Sequence, residues 1–309
     1  MFNIKIKAYT RLLVFLFLFS LSFRLSVCSE TKKTISDGQL FQQCADSLSN
    51  TENIQFLDSS LETLRDLSHD YSFGQEVVKS DIKDHLINFM NNLSYPEATR
   101  SLASSVFASA FANNPAVHEL AVKDNLMPLF IQSLKHEPSI SVITKKLYLL
   151  SKAVASTWSA QSFVQCSGMD IVSDLYSKWL EIPNSNIPFH KYEQLLGRIA
   201  ILLESLHLHL SKYSKVTDGL VSDWCYLLQS QVQSNWSSYS PTTLELLLHT
   251  IVSMQVEWEV CPSTVFYEWL NDDPIAKHHI IRQDPGFRED FFDMINEALS
   301  LPWPKKYYI

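Results

Sequence analysis

Metal binding and proton transfer need histidines, cysteines and acids close together in space, so these residues are the first to test for chemistry. Leu206-His207-Leu208-His209 places two imidazoles two residues apart. On a helix such residues point about 200° away from each other, and zinc needs ligands that converge. His278-His279 has no cysteine or carboxylate cluster of ligand spacing beside it. Asp272-Asp273 and Glu289-Asp290 are adjacent pairs, which diverge on a helix and make poor acid/base partners. Glycines occur only at 38, 74, 168, 197, 219 and 286. No GxGxxG or GxxxxGK-Ser/Thr loop can be built from them, which excludes dinucleotide and P-loop enzymes. A GxSxG elbow and an HExxH helix are also lacking. The expectation is a protein that is not an enzyme, carries no cofactor or metal, and works by binding.

The first residues read as an address. Lys5, Lys7 and Arg11 precede Leu12–Phe23, an apolar run of twelve residues. A spanning helix needs about 20 apolar residues, whereas a secretory signal is this short. Ser26 and Cys28 are the small residues for cleavage between Cys28 and Ser29, the alternative being an uncleaved anchor. Loss of 1–28 removes four basic residues and no acid, taking the formal charge of −8 further down. That balance argues against nucleic acid and anionic membrane as partners. Cys44, Cys166, Cys225 and Cys261 remain. In an oxidising compartment they have three possible pairings, and buried free thiols are equally compatible with a large helical core. Asn92-Leu-Ser and Asn235-Trp-Ser are glycosylation sequons near expected loops.

Elements must position whatever binds. Hydrophobic residues make up 46% of the 309 positions and charged residues 19%, enough for a real core. Residues 29–53 are polar and read as a flexible tail. From Ile54 onward the pattern is helical, with no alternating strand-type run. Apolar residues recur at helical spacing in Ala103/Phe107/Ala110, Ile143/Leu147/Leu150/Val154 and Leu195/Ile199/Leu202/Leu206. The residues just after each polar turn, Ile82, Leu126, Met169 and Leu220, are separated by steps of 44, 43 and 51. The long last step contains the insertion 181–190, whose two prolines forbid helix. Asp218-Gly219 reads as a helix C-cap or turn. Asn113-Asn114-Pro115 stops one helix and starts another, and Asp124-Asn125 turns the chain.

A period in the low to middle forties with three helices per unit marks an all-α, armadillo-like solenoid over 54–235. Its neighbours supply each other's core and leave a concave groove. Beyond about 236 the repeat is lost, and 236–309 is expected to form a C-terminal helical cap.

The segment Arg100–Leu134 resembles the armadillo core of the Sil/Fes/Hsp-binding-protein family of nucleotide exchange factors, with Arg100, Asn113, Asn114 and Pro115 in the family's pattern. Lys145, Lys146, Ser151 and Gly168 match a second block of that family, and 61–80 is similar to its first repeat. The likeness covers about 54–230. With a signal peptide in front, it implies a lumenal member acting on BiP, the endoplasmic-reticulum chaperone of the Hsp-seventy class. Such a factor grips the chaperone's ATPase domain, favours its open form and so speeds ADP loss, which supports translocation and folding. The terminus Lys-Lys-Tyr-Tyr-Ile is not a KDEL-type signal, so the expectation is either retention through binding BiP or leakage outward. With Cys44 the one cysteine of the tail, no redox-active pair is available there.

Each candidate contact residue suits two roles. Arg100 suits partner contact or a snorkelling place at a helix start. Asn113 and Asn114 suit contact or a turn, and Lys145 and Lys146 suit contact or a solvated face. The expected partner is the BiP ATPase domain, bound by a monomer. The alternative is a secreted armadillo adaptor that holds another protein or peptide in its groove.

Overall fold

Successive long helices begin at Ile54, Glu97 and Ile140, a constant step of 43 residues. Each is followed by two shorter helices, and this repetition sets the architecture. The computed structural model describes residues 35–181, 187–210, 218–258, 261, 266 and 269, and divides into two compact units, 1–40 and 41–309.

Helix α1 (Asp37–Ser47) begins in the first unit, where it opens on a reciprocal cap, and continues into the second. Gln39 N–H donates to Ser36 Oγ and Ser36 N–H donates to Gln39 Oε1, satisfying two free donors of the first turn. The flexible-tail expectation for 29–53 is therefore corrected over 37–47. The physical reason lies in the second unit, where Phe41, Cys44 and Leu48 fall at spacings of three and four and are all buried. Phe41 stacks on Phe73 with ring centroids 4.8 Å apart.

The second unit begins its repeats with α2 (Ile54–Leu67), α3 (Tyr71–Lys79) and α4 (Ile82–Asn91). Next come α5 (Glu97–Phe111), α6 (Pro115–Lys123) and α7 (Leu126–Lys135). The third triplet is α8 (Ile140–Ala153), α9 (Thr157–Gln165) and α10 (Gly168–Tyr176), with a π-helical turn over Ser177–Glu181. Then follow α11 (Phe189–Leu210), α12 (Asp218–Asn235), a 3-10 turn (Trp236–Ser238) and α13 (Pro241–Trp258). No strand occurs among the described residues.

Contacts sort these helices into rows. The long helices stack α2 on α5, α5 on α8, α8 on α11 and α11 on α13. The first short helices form a second row, α3 on α6 and α6 on α9, and the third helices join α4 to α7 and α7 to α10. No triplet buries its apolar face alone, so each depends on its neighbours, as in an armadillo-like solenoid. The apolar residues read from the sequence on α5, α8 and α11 are all buried. Phe107, Phe111 and Phe130 meet edge to face at 5.1 and 5.9 Å in the centre of the second triplet.

Local chemistry explains the punctuation. Pro115 stands at the first turn of α6, where its missing N–H costs nothing. Asn125 and Ser167 hold φ of 50° and 57° in the turn before the third helix of successive triplets. Asn enters this left-handed region more readily than most residues. Gly74 lets α3 approach α5 closely. A Cβ there would stand 3.0 Å from Ser68 O and 3.1 Å from Ala110 O. Asp218-Gly219 lies in the first turn of α12 and not at a C-cap. The 181–190 insertion is helical at both margins, since the π turn ends at Glu181 and α11 starts at Phe189.

Candidate functional site

The residues matched to the exchange-factor pattern divide into a buried set and an exposed set. Arg100 and Lys146 leave 5% and 1% of their surface exposed. Both converge on Glu137, which follows α7 and is itself 1% exposed. Arg100 donates from Nη2 to Glu137 Oε1 at 2.8 Å and from Nε to Oε2 at 3.2 Å. Its Nη1 reaches Tyr95 O. Lys146 Nζ donates to Glu137 Oε2 at 3.0 Å, Ser133 O at 2.7 Å and Met90 O at 2.9 Å. All three protons of the ammonium are thus used. Ser139 N–H adds a further bond to Glu137 Oε1 at 3.1 Å.

Burial alone would push the Glu137 carboxyl up, but the hydrogen bonds from Arg100 and Lys146 outweigh it and hold the group below its ordinary range. Burial draws Lys146 down, opposed by Glu137. The asymmetry follows from the charge count. The carboxylate faces two cations, whereas each cation faces one anion and one cation. This network ties the end of α4, the start of α5, the end of α7 and the middle of α8 together. Partner contact by Arg100 and Lys146 is corrected on this ground, because their charged atoms are spent inside. Glu137 was missed in the sequence. Its one signal is an isolated acid held between a helix end and Pro138.

Lys145 points the other way and is exposed. Spacings of three and four put Tyr148 and Lys152 on the same face of α8. The Lys152 ammonium lies 5.4 Å from the Tyr148 ring centroid, and the Arg198 guanidinium of α11 lies 4.7 Å from it. None of Lys145, Lys152 and Arg198 forms a salt bridge among the described residues. The row of long helices therefore carries an open cationic face centred on an aromatic ring. On α5, the preceding helix of the row, Ser101 and Ser105 are small and half-exposed. At the next junction of the row, His249 Nδ1 of α13 stands 3.1 Å from Glu204 Oε1 of α11.

Asn113 and Asn114 behave differently from each other. Asn113 is exposed, with φ of 57°, and makes the turn that ends α5. Asn114 is 3% exposed and donates from Nδ2 to Tyr71 O at 3.0 Å, which fixes α3 beside the α5–α6 turn. Its amide nitrogen is therefore committed to packing, whereas its Oδ1 has no partner among the described residues. These residues border a cleft of about 700 Å³ between the starts of α6 and α9, with His118, Glu119, Val122 and Trp158 on its walls. Trp158 is 73% exposed. His118 is buried, and its ring meets Phe111 edge to face at 5.2 Å. Burial lowers its pKa, partly opposed by the carbonyls of Ala153 and Phe111.

Two cysteines, Cys225 of α12 and Cys261, form a disulfide. Cys44 and Cys166 are free thiols, and burial pushes the Cys44 thiol up against a weaker opposing bond from Thr63. Asn92 is exposed at the C-cap of α4, and its Oδ1 accepts from Ser94 N–H at 3.0 Å. Asn235 ends α12 half-buried and donates to Gln231 Oε1 at 3.1 Å. His207 is buried, and desolvation draws its pKa down to about 4. No metal-binding group of three or more ligands exists among the described residues. No helix among them is long and apolar enough to cross a membrane. Cys28, Ser29, Asp272, Asp273, His278, His279, Glu289 and Asp290 lie outside the described residues.

Known proteins can now be set against this geometry. A family model described as nucleotide exchange factor SIL1 matches residues 39–293, which takes in every helix of the three stacked rows. The chain belongs to the SIL1 nucleotide exchange factor family. An uncharacterized protein of Schizosaccharomyces pombe is 39% identical over 295 residues, covering 92% of this chain and 87% of the relative. Among solved structures, a designed armadillo repeat protein is similar with a TM-score of 0.53 and 13% identity, over 84% of this chain and 99% of that one. A second designed armadillo repeat protein, solved in complex with the peptide (KR)4, is similar with a TM-score of 0.52 and 12% identity, over 84% and 98%. At such identities the likeness concerns the fold, which is armadillo-like. SIL1 family membership implies nucleotide exchange on a chaperone of the Hsp-seventy class.

Proposed function

We propose that this protein is the exchange factor for BiP in the endoplasmic-reticulum lumen, where it promotes ADP release and so supports translocation and folding. The observation that carries this reading is the SIL1 family match across 39–293. The cationic face of Lys145, Tyr148, Lys152 and Arg198 supplies a surface to which the BiP ATPase domain docks, with Asn113 exposed at the rim. The mechanism is differential binding. The rigid stack holds the open, nucleotide-free form of the chaperone more tightly than the closed, ADP-bound form, and only that difference speeds ADP loss. Residues 1–28 direct the chain to the lumen and are cleaved between Cys28 and Ser29. Asn92 and Asn235 carry glycans, and the mature protein acts as a monomer.

The test is direct. BiP loaded with fluorescent ADP is mixed with the mature protein at micromolar concentration and release is followed by stopped flow. Faster release is expected. Unchanged release across that range overturns the reading.

A further inference from the structure

The cleft between α6 and α9 is lined by groups that accept hydrogen bonds and lack donors. Asn114 is 97% buried, and its Oδ1 has no hydrogen-bond partner among the described residues. A buried acceptor left unmade is costly, so such atoms call for a donor. Glu119 on the same wall is exposed, and no cation among the described residues pairs with it. Over this polar base stand two exposed apolar side chains, Val122 at 45% and Trp158 at 73%. A large indole this open has no packing role within the chain.

We propose that the cleft is a docking site for an arginine side chain presented on the surface of the protein partner. The guanidinium is planar, carries five donors and no acceptor, and stacks well on an indole face. One such group serves the Glu119 carboxylate and Asn114 Oδ1 while its flat face covers Trp158. Its methylene stem lies along Val122. The formal charge of −8 on the whole chain favours a cation further. A lysine ammonium is a compact point charge and cannot span separate acceptors while stacking. The cleft volume of about 700 Å³ far exceeds one side chain. It therefore takes an arginine together with its flanking residues, as on a protein loop. The identity of that protein rests on the exchange-factor reading, whereas the chemistry of the cleft does not.

The experiment separates the two. The full mature chain is labelled with nitrogen-15, and the Trp158 indole signal is assigned from its loss in Trp158→Phe. N-acetyl-arginine amide is titrated in, with N-acetyl-citrulline amide as the uncharged analogue and N-acetyl-lysine amide as the second cation. A saturating shift with arginine in roughly the millimolar range is expected. The citrulline and lysine probes should bind at least several-fold more weakly, and Glu119→Gln should weaken arginine binding about threefold. No shift with arginine overturns the proposal, and so do equal shifts with all three probes. A Trp158 shift on concentrating the protein alone reports a second copy in the cleft and overturns it as well. In the second arm, Trp158→Ala is compared with wild type in the ADP-release assay, where a severalfold higher half-maximal concentration is expected. Because Trp158 is mostly exposed, this variant keeps the fold. Wild type that speeds release while the arginine titration fails removes the cleft proposal alone. Wild type that leaves release unchanged while the titration succeeds removes the BiP reading alone.

Discussion

Glu137 is the residue on which the others lean. Two cations and one carboxylate sit within the same dry space, and removing the carboxylate leaves both cations buried without an anion. Glu137→Ala is expected to destabilise by about 3–5 kcal/mol in urea unfolding. Its pH dependence has a definite sign. The folded pKa is depressed, so the contribution is full above the ordinary glutamate range and is lost as pH falls through the lower folded value. His207 works over a different window. Its pKa of about 4 lies below the ordinary histidine value of 6.5, so the unfolded chain takes up a proton first as acid is added. Stability should fall between pH 6.5 and 4, by up to about 3 kcal/mol in total. His207→Leu should flatten that part of the stability curve, as measured by urea midpoints across pH. A parallel curve in the variant would contradict this. Arg100 and Lys146 look like surface residues in the sequence because a basic residue near a helix start is usually solvated. Their partner is 37 and 9 residues away, and no periodicity reports a side chain brought in by stacking.

At the scale of the helices, close approach sets the tolerances. Gly74 faces two backbone carbonyls that cannot rotate aside, at 3.0 and 3.1 Å from an added Cβ. Gly74→Ala should lower stability by about 1–3 kcal/mol, read as a drop in Tm. An unchanged Tm would mean that α3 shifts freely against α5. The helices themselves were legible. Prolines at 96 and 115, the Asn-Asn stop and apolar residues at spacings of three and four mark α5 and α6 without ambiguity. The helix over 37–47 was hidden by its polar composition. The signals were present in the Ser36/Gln39 cap and in Phe41, Cys44 and Leu48, but three apolar residues among many polar ones do not dominate a window. The cleft was not legible at all. It arises from the distance between the starts of two helices some 40 residues apart in the chain.

For the whole molecule, two measurements bear on how the stack is held and used. The disulfide between Cys225 and Cys261 spans 36 residues and includes α13 in its loop. Its removal by Cys225→Ser with Cys261→Ser should cost about 2–4 kcal/mol, seen as a lower Tm than the oxidised wild type. Association should respond to charge. Replacing Lys145, Lys152 and Arg198 together by glutamate is expected to slow binding to the chaperone at least tenfold at low salt and to weaken the salt dependence, read from stopped-flow association rates. An unaltered salt dependence would place the docking face elsewhere. A period in the low to middle forties with three helices per unit is legible in the sequence pattern, whereas the direction in which each charged side chain faces is not.

A regular step also invites exchange of units in evolution, since cutting before Glu97 and before Ile140 would join like turns to like. The buried charge network forbids it. Excising 97–139 would remove both Arg100 and Glu137 and strand the ammonium of Lys146 in an apolar interior. Inserting a copy would oblige the duplicate to bring its own counter-ion. The array is thus periodic in its backbone yet composed of unique parts.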